Sequence, residues 1–264
     1  MSATALVLTT LLGDNAVAMS RALAPALARA TGLGVRFDCT GEPRSSAERA
    51  VWERELVWAC GLLTLRTIDA GGAVCDIVAA PVFAGEASPV YRSVIVARTD
   101  GPVRTTDGVA RCRIAINETA SWSGCHCLLA HLADTDRTAA FAACTLTGSH
   151  RRSVEAVVDG RADAAAIDES VWRHLMASEP ASVEGLAVIE HTADWPAPPI
   201  SLARTLDPAL RERVLDGLLG PGPADVAGLE RIEPVDAGRY RTMVERAERQ
   251  ASGFGVAPLE RLSP

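Results

Sequence analysis

Lysine is missing altogether: all 26 basic residues are arginine. That excludes Schiff-base lysine chemistry and the lysine of a P-loop. Aromatic residues are scarce, 4% of 264, so the core must be built largely from small aliphatic side chains. Basic side chains are outnumbered by the 33 acidic ones, and a formal charge of −7 lacks the phosphate-tracking surface of a nucleic-acid binder. No run approaches the 18 apolar residues of a membrane span, and the stretch 1–12 lacks the basic region and cleavage site of a secretory signal. The sequence as written therefore reads as a soluble, cytoplasmic chain without direct membrane insertion; a periplasmic or extracellular place requires it to be a mature form. Seven cysteines (39, 60, 75, 112, 125, 127, 144) contain no CxxC pair, which excludes a zinc ribbon and gives no disulfide framework. No Ser-His-Asp order, HExxH or Gly-rich phosphate loop occurs either, so no catalytic residue and no cofactor is assigned.

What is present is an alternation of short apolar runs with helix-period segments, the pattern of α/β units around a mostly buried sheet. Strands are expected at 3–9, 34–38, 56–59, 75–81, 91–98, 113–117, 142–146, 164–167, 186–190 and 200–203. Helices are expected at 15–30, 46–54, 62–68, 123–133, 150–159, 169–177, 208–219 and 237–250. Ser45 with Glu48 forms a capping-box pattern, Ser149 and Asp207 precede helical runs, and Asp14 reads as an N-cap. Pro and Gly interrupt the alternation at 98–104 and 191–199. Those two stretches read as crossovers, dividing the chain into one lobe from 1–97 plus 192–264 and a second from 98–191.

The most informative stretch is 114–129, IAINETASWSGCHCLL: a strand, a hydroxyl-rich turn and a helix. Such a turn directs the N–H groups of a helix start and the hydroxyls of Thr119, Ser121 and Ser123 at one point, which suits an oxyanion. Gly124 would let a ligand approach the backbone closely. The plainer alternative is that Ser121 or Ser123 caps the helix with no ligand present. A second stretch, 147–168, opens a helix with Ser149 and His150 and ends a strand on Asp168, where a buried sheet presents ligand-facing residues. His150 as a cap or surface residue is the simpler reading.

Cys125, His126 and Cys127 suggest a metal site, but positions i and i+2 of a helix diverge by about 200°, so no metal is expected. Cys125 in the first turn of a helix would have its thiolate favoured by the dipole, while Cys127 should pack inward. Trp52 and Trp172 read as core residues. Trp58 and Trp122 read as an aromatic wall for a ligand.

The segments Trp58-Ala59-Cys60-Gly61, 79–82 (AAPV), 89–93 (PVYRS), 117–124, Gly148-Ser149-His150 and 160–168 (GRADAAAID) resemble, in order and spacing, the phosphate/phosphonate class of ABC-transporter substrate-binding proteins. The resemblance covers about 55–203. It implies an α/β, two-lobed type II periplasmic-binding-protein fold with two crossover hinges, closing around a small anionic ligand, and an ABC permease as partner if the chain is exported. Carried over, Tyr91 is an aromatic cleft residue, Ser121, Trp122 and Ser123 hold the phosphonate oxygens, His150 donates to the same anion, and Asp168 meets an amine on the ligand if there is one. Cys60-Gly61-Leu62-Leu63 stands where relatives tend to have Cys-Gly-Tyr-Pro, losing a phenol; Trp122 and Cys125 also depart from the family. The competing reading is an enzyme or sensor on the same fold, acting on a small phosphorylated or carboxylated metabolite.

Overall fold

The computed structural model describes residues 5–38, 49–137 and 139–253. The chain divides into two compact α/β units, Met1–Val90 with Pro196–Thr242 and Tyr91–Trp195 with Met243–Pro264.

The first unit is built on a six-stranded sheet. Its strands are β1 (Leu6–Thr10), β2 (Val35–Phe37), β3 (Leu56–Trp58), β4 (Cys75–Phe83), β12 (Ile200–Ala203) and β13 (Leu229–Pro234), in the order β13-β4-β12-β3-β1-β2. β1 runs parallel to β2 and β3, and β12 inserts antiparallel between β3 and β4. Every residue of β1, β3 and β12 is buried, which is why these strands read as continuous apolar runs. Helices α1 (Asp14–Thr31), α2 (Gly61–Asp69) and α7 (Pro208–Leu219) accompany the sheet. α1 runs through Pro25 and stops at Gly32, whose φ of 64° closes an αL cap on the Ala28 carbonyl. Trp52 lies, as expected, in a buried cluster with Val51, Val57, Ala59, Ala73 and Cys75.

The second unit carries a five-stranded sheet of β6 (Ser93–Arg98), β7 (Arg113–Ile116), β8 (Ala143–Leu146), β9 (Ala164–Asp168) and β10 (Leu186–His191), ordered β10-β6-β9-β7-β8. β7, β8 and β9 are parallel, whereas β6 is antiparallel to β9 and β10. Its helices are α3 (Thr106–Val109), α4 (Cys127–Asp134), α5 (His150–Val158) and α6 (Glu169–Ser178). The run of alanines in β9 lets Val154, Val157, Trp172 and Leu175 close on the sheet. Two short strands, β5 (Val90–Tyr91) and β11 (Trp195–Pro196), pair where the chain passes from one unit to the other. α8 (Gly238–Gly253) begins in the first unit and ends in the second.

Several expectations are revised. The strand expected over 91–98 is broken at Arg92, and β6 pairs with β9 and β10, so the first crossover lies at Val90–Tyr91 and not at 98–104. The Asp100–Pro102 turn instead closes β6 within the second unit, with the Thr99 N–H on the Gly185 carbonyl at 2.8 Å. Residues 49–53 form a 3-10 turn, not the end of a helix. The Ser45–Glu48 capping box lies outside the described residues. Gly13, not Asp14, occupies the N-cap position of α1. β13, α3 and β11 were not anticipated. No helix among the described residues is long and apolar enough to cross a membrane.

Candidate anion site in the second unit

β7 delivers the chain into Asn117–Ser121, after which a single π-helical segment, Trp122–His126, leads into α4. Ser121 caps this segment: its Oγ accepts the Gly124 N–H at 3.1 Å, and its carbonyl accepts the His126 N–H at 3.2 Å, the wide i→i+5 bond. Such segments recur at functional positions because they re-aim side chains without ending a helix. Gly124 is required here, although not for ligand approach. A Cβ at this position would stand 1.8 Å from Asn117 Oδ1. The Asn117 amide fills that space, accepts the Glu118 N–H at 2.9 Å, and its backbone carbonyl accepts the Gly148 N–H at 2.8 Å in the turn that leads to α5.

The turn therefore sets Ser123 against α5. Ser123 Oγ lies 3.0 Å from His150 Nε2, while the Asp168 N–H reaches His150 Nδ1 at 3.4 Å. All three residues are 8% exposed. The Ser123 carbonyl accepts from Ser93 Oγ at 2.9 Å and from Cys127 Sγ at 2.8 Å, and the Ser93 N–H donates to Thr192 Oγ1 at 3.0 Å. Ser93 stands directly opposite Asp168 in the β6–β9 register. Four elements thus fix one serine hydroxyl beside one imidazole.

Burial drives the His150 imidazole down to about 4, with a hydrogen bond to the Ala166 backbone opposing the shift, so the ring is neutral at physiological pH. A neutral ring has one donor and one acceptor. Nδ1 accepts the Asp168 N–H at 3.4 Å. With Nδ1 accepting, Nε2 of the neutral ring carries the proton and donates to Ser123 Oγ. When Nε2 donates to Ser123 Oγ, the serine proton is released for another acceptor.

Asp168 caps α6, its Oδ1 accepting from Ser170 N at 2.9 Å and Ser170 Oγ at 2.6 Å. Burial nonetheless pushes its carboxyl up, because these bonds only partly offset desolvation. Its neighbour Glu169 pairs with Arg92 at 3.2 Å and Arg173 at 2.9 Å, and Arg92 also holds Asp194 at 2.6 Å.

Other expected site residues have different surroundings. Trp58 is fully buried in β3, with its indole N–H on the Pro198 carbonyl at 3.0 Å, so it is a core residue of the first unit and no wall for a ligand. Cys60 is the N-cap of α2, without a side-chain cap bond, and Gly61 is the helix's buried first residue. Tyr91 is 6% exposed on β5. Trp122 is fully buried too: it stacks on His126 at 6.1 Å and meets Trp195 edge-on at 4.4 Å, instead of facing open space. Cys125 is buried and its thiol is pushed far up by desolvation, so the π-helical turn supplies none of the expected activation. Cys127 packs inward. Among the described residues no group of three or more His, Cys, Asp or Glu could hold a metal ion.

Ser93, Thr192 and Asn117 were not anticipated as supports of the site. Ser93 lay inside the 89–93 segment, and its place at the start of a strand that continues Val-Ile-Val-Ala before Arg98 was the available signal.

A family model described as "ABC transporter, phosphonate, periplasmic substrate-binding protein" matches residues 6–243. No curated protein matches the chain. Among solved structures, the chain is similar to the binding-protein component of a phosphonate ABC transporter from Pseudomonas aeruginosa, at 15% identity over 99% of this chain and 100% of that one, with a TM-score of 0.72. It is also similar to PhnD1 from Prochlorococcus marinus in complex with methylphosphonate, at 15% identity over 93% and 97%, with a TM-score of 0.76. A Xanthomonas citri protein bound to ATP matches at 16% identity over 94% and 98%, with a TM-score of 0.67. At these identities the structural likeness shows the fold alone.

Proposed function

We infer the function from the premise that the chain belongs to the family of periplasmic substrate-binding proteins of phosphonate ABC transporters. The reading is that it binds a small tetrahedral oxyanion of the phosphonate class and presents it to an ABC permease. The observation that carries it is the Ser123–His150 pair, 3.0 Å apart and nearly buried, with a neutral ring whose Nδ1 accepts the Asp168 N–H. With Nε2 donating to Ser123 Oγ, the serine hydroxyl donates to an arriving anion. Ser121 Oγ already accepts the Gly124 N–H and keeps its own proton for a ligand oxygen. Asp168 takes a hydrogen-bond donor of the ligand, and Tyr91 supplies apolar surface beside it.

The family's compartment is the periplasm, and we place the chain there in preference to the cytoplasm. Cys112, Cys125 and Cys127 are buried with thiols pushed up, which makes them poor nucleophiles in an oxidising compartment. Fractionation of native cells checks this placement.

Isothermal titration of the purified protein with methylphosphonate tests the site. A hydrogen bond to a charged group contributes about 1.5–3 kcal/mol, so Ser123→Ala should weaken binding by about 10- to 150-fold. Equal affinity of Ser123→Ala and wild type would place the ligand elsewhere.

A further inference from the structure

Resting on that reading of the site, we propose that Ser93 is a positioning residue for the anion. Its hydroxyl, held in place by Thr192, ties the segments on which the chain enters and leaves the second unit to the Ser123 carbonyl, and so fixes where the Ser123 hydroxyl points. Ser93 acts through Ser123 and touches no ligand atom.

The chain enters the second unit at Tyr91 and leaves it at Trp195. Ser93 and Thr192 stand just inside those two points, and they bond reciprocally. The Ser93 N–H donates to Thr192 Oγ1 at 3.0 Å, and the Thr192 N–H donates to the Ser93 carbonyl at 2.9 Å. In a more exposed position Arg92 Nε donates to Asp194 at 2.6 Å, joining the same two segments a third time. Ser93 is 1% exposed and Thr192 5%. A hydroxyl at that depth costs stability unless it is bonded, and Ala and Val would fill the two places without the cost. Ser93 Oγ spends its proton on the Ser123 carbonyl at 2.9 Å. The Cys127 thiol, 2.8 Å from the same carbonyl and 3.2 Å from Ser93 Oγ, is the weaker donor of the two.

The carbonyl and the side chain of Ser123 branch from one Cα, so the peptide that Ser93 holds sets the directions in which the hydroxyl can be sent. That hydroxyl already meets His150 Nε2 at 3.0 Å and must reach a ligand oxygen as well. Two bonds from one oxygen leave little angular freedom, since hydrogen bonds weaken steeply once they are misaligned. A bond to an anion loses the most, being the stronger kind. Tilting the Ser123 peptide therefore costs affinity before it disturbs the strand or helix on either side. Because Ser93 is bonded to Thr192, a displacement of either segment reaches Ser123 through one hydroxyl.

The test is isothermal titration with methylphosphonate, alongside thermal unfolding, of wild type, Ser93→Ala, Thr192→Val and Ser123→Ala, of Ser93→Ala and Thr192→Val each combined with Ser123→Ala, and of Ser93→Ala combined with Cys127→Ser. Ser93→Ala and Thr192→Val should each weaken binding by about 3- to 10-fold, the span of a neutral hydrogen bond. Combined with Ser123→Ala, each should change affinity by less than about twofold, because the hydroxyl they position is gone. Their effect on Tm should be the same with and without Ser123→Ala, so lost stability by itself produces no such contrast. Cys127→Ser puts a hydroxyl one helical turn from the same carbonyl, where serine bonds readily, and should return Ser93→Ala to within about twofold of wild type. Ser93→Ala or Thr192→Val within about twofold of wild type, or an equal fold loss with and without Ser123→Ala, overturns the proposal while leaving Ser123 as the anion's partner. So does a Ser93→Ala loss that Cys127→Ser fails to recover, which would assign Ser93 to packing in β6. Equal affinity of Ser123→Ala and wild type overturns the reading of the site, and the proposal with it.

Discussion

Two strand-to-helix turns, one in each unit, follow the same sequence grammar and reach different ends. In the first unit, β3 runs through Trp58-Ala59-Cys60 into α2, and the polar atom of the turn's largest side chain is already satisfied by the Pro198 carbonyl. In the second unit, β7 runs through Asn117–Ser121 into a π-helical segment, where Ser123 is buried and bonded to His150 but keeps its own proton for a further acceptor. Helix starts do not divide the same way: α1 and α2 have no side-chain cap but α7 is capped by Asp207, while α3, α5, α6 and the π-helical segment are capped by Thr105, Ser149, Asp168 and Ser121 and α4, which continues that segment, has none. Buried polarity is costly unless it is bonded. A site is thus better located by a buried group with a proton still to place, such as Ser123, than by aromatics or glycines next to a strand end.

The largest expected effect is on acid stability, and it belongs to the second unit. The folded His150 imidazole titrates at about 4, against 6.5 for an ordinary one. Protons therefore bind the unfolded chain first. The contribution is fully present above pH 6.5 and is lost progressively as pH falls to 4, by about 3 kcal/mol at about 1.4 kcal/mol per pH unit. Denaturant unfolding of the ligand-free protein between pH 7 and 4 should show this slope, and His150→Gln should flatten it. Asp168 has the opposite sign: its raised folded value makes ionisation cost stability as pH rises above 3.8, so Asp168→Asn should raise Tm at pH 7. A wild-type slope that survives in His150→Gln would remove the distinction between the two turns.

Gly124→Ala should follow in size. The new methyl group would lie 1.8 Å from Asn117 Oδ1, so the Asn117 side chain must leave and give up its bond to the Glu118 N–H. A loss of about 1–3 kcal/mol in unfolding free energy is expected, since a buried polar group is left without its partner. Methylphosphonate affinity should fall with it, because Ser123 rides on the same segment. Stability and affinity both unchanged would mean that Asn117 does not set the turn.

Much of this was legible in the sequence. Ser149 and Asp207 do cap their helices, and Trp52 and Trp172 do lie in the core. Local chemistry such as a cap needs only three or four neighbouring residues. The turn at Gly124 was misread because its reason is a side chain seven positions earlier. β13 escaped because its buried residues, Leu229 and Ile232, are three apart instead of alternating. Prolines and glycines at 98–104 marked a turn correctly but could not say which sheet β6 joins, a matter of pairing with β9 and β10. Trp58 and Trp122 were placed on a ligand wall since scarce aromatics beside strand ends suggest one; the Pro198 carbonyl and the Trp195 ring that enclose them are 140 and 73 positions away.

The smallest effect sharpens the comparison from the side of the first unit. Trp58→Phe keeps an aromatic ring in β3 and removes only the indole N–H and part of the ring. The Pro198 carbonyl then loses its donor at 3.0 Å in a fully buried position. Net hydrogen bonds of this kind contribute about 0.5–1.5 kcal/mol, and the smaller ring adds a modest cavity cost. Tm should therefore fall by a few degrees, on the order of 2–4 °C per kcal/mol for a chain of this size. Methylphosphonate affinity, in contrast, should stay within about twofold, as the indole faces protein on every side. Calorimetric scanning and titration on the same preparation separate the two readouts. A tenfold loss of affinity at unchanged Tm would return Trp58 to the ligand and erase the contrast between a turn that is settled and a turn that is poised.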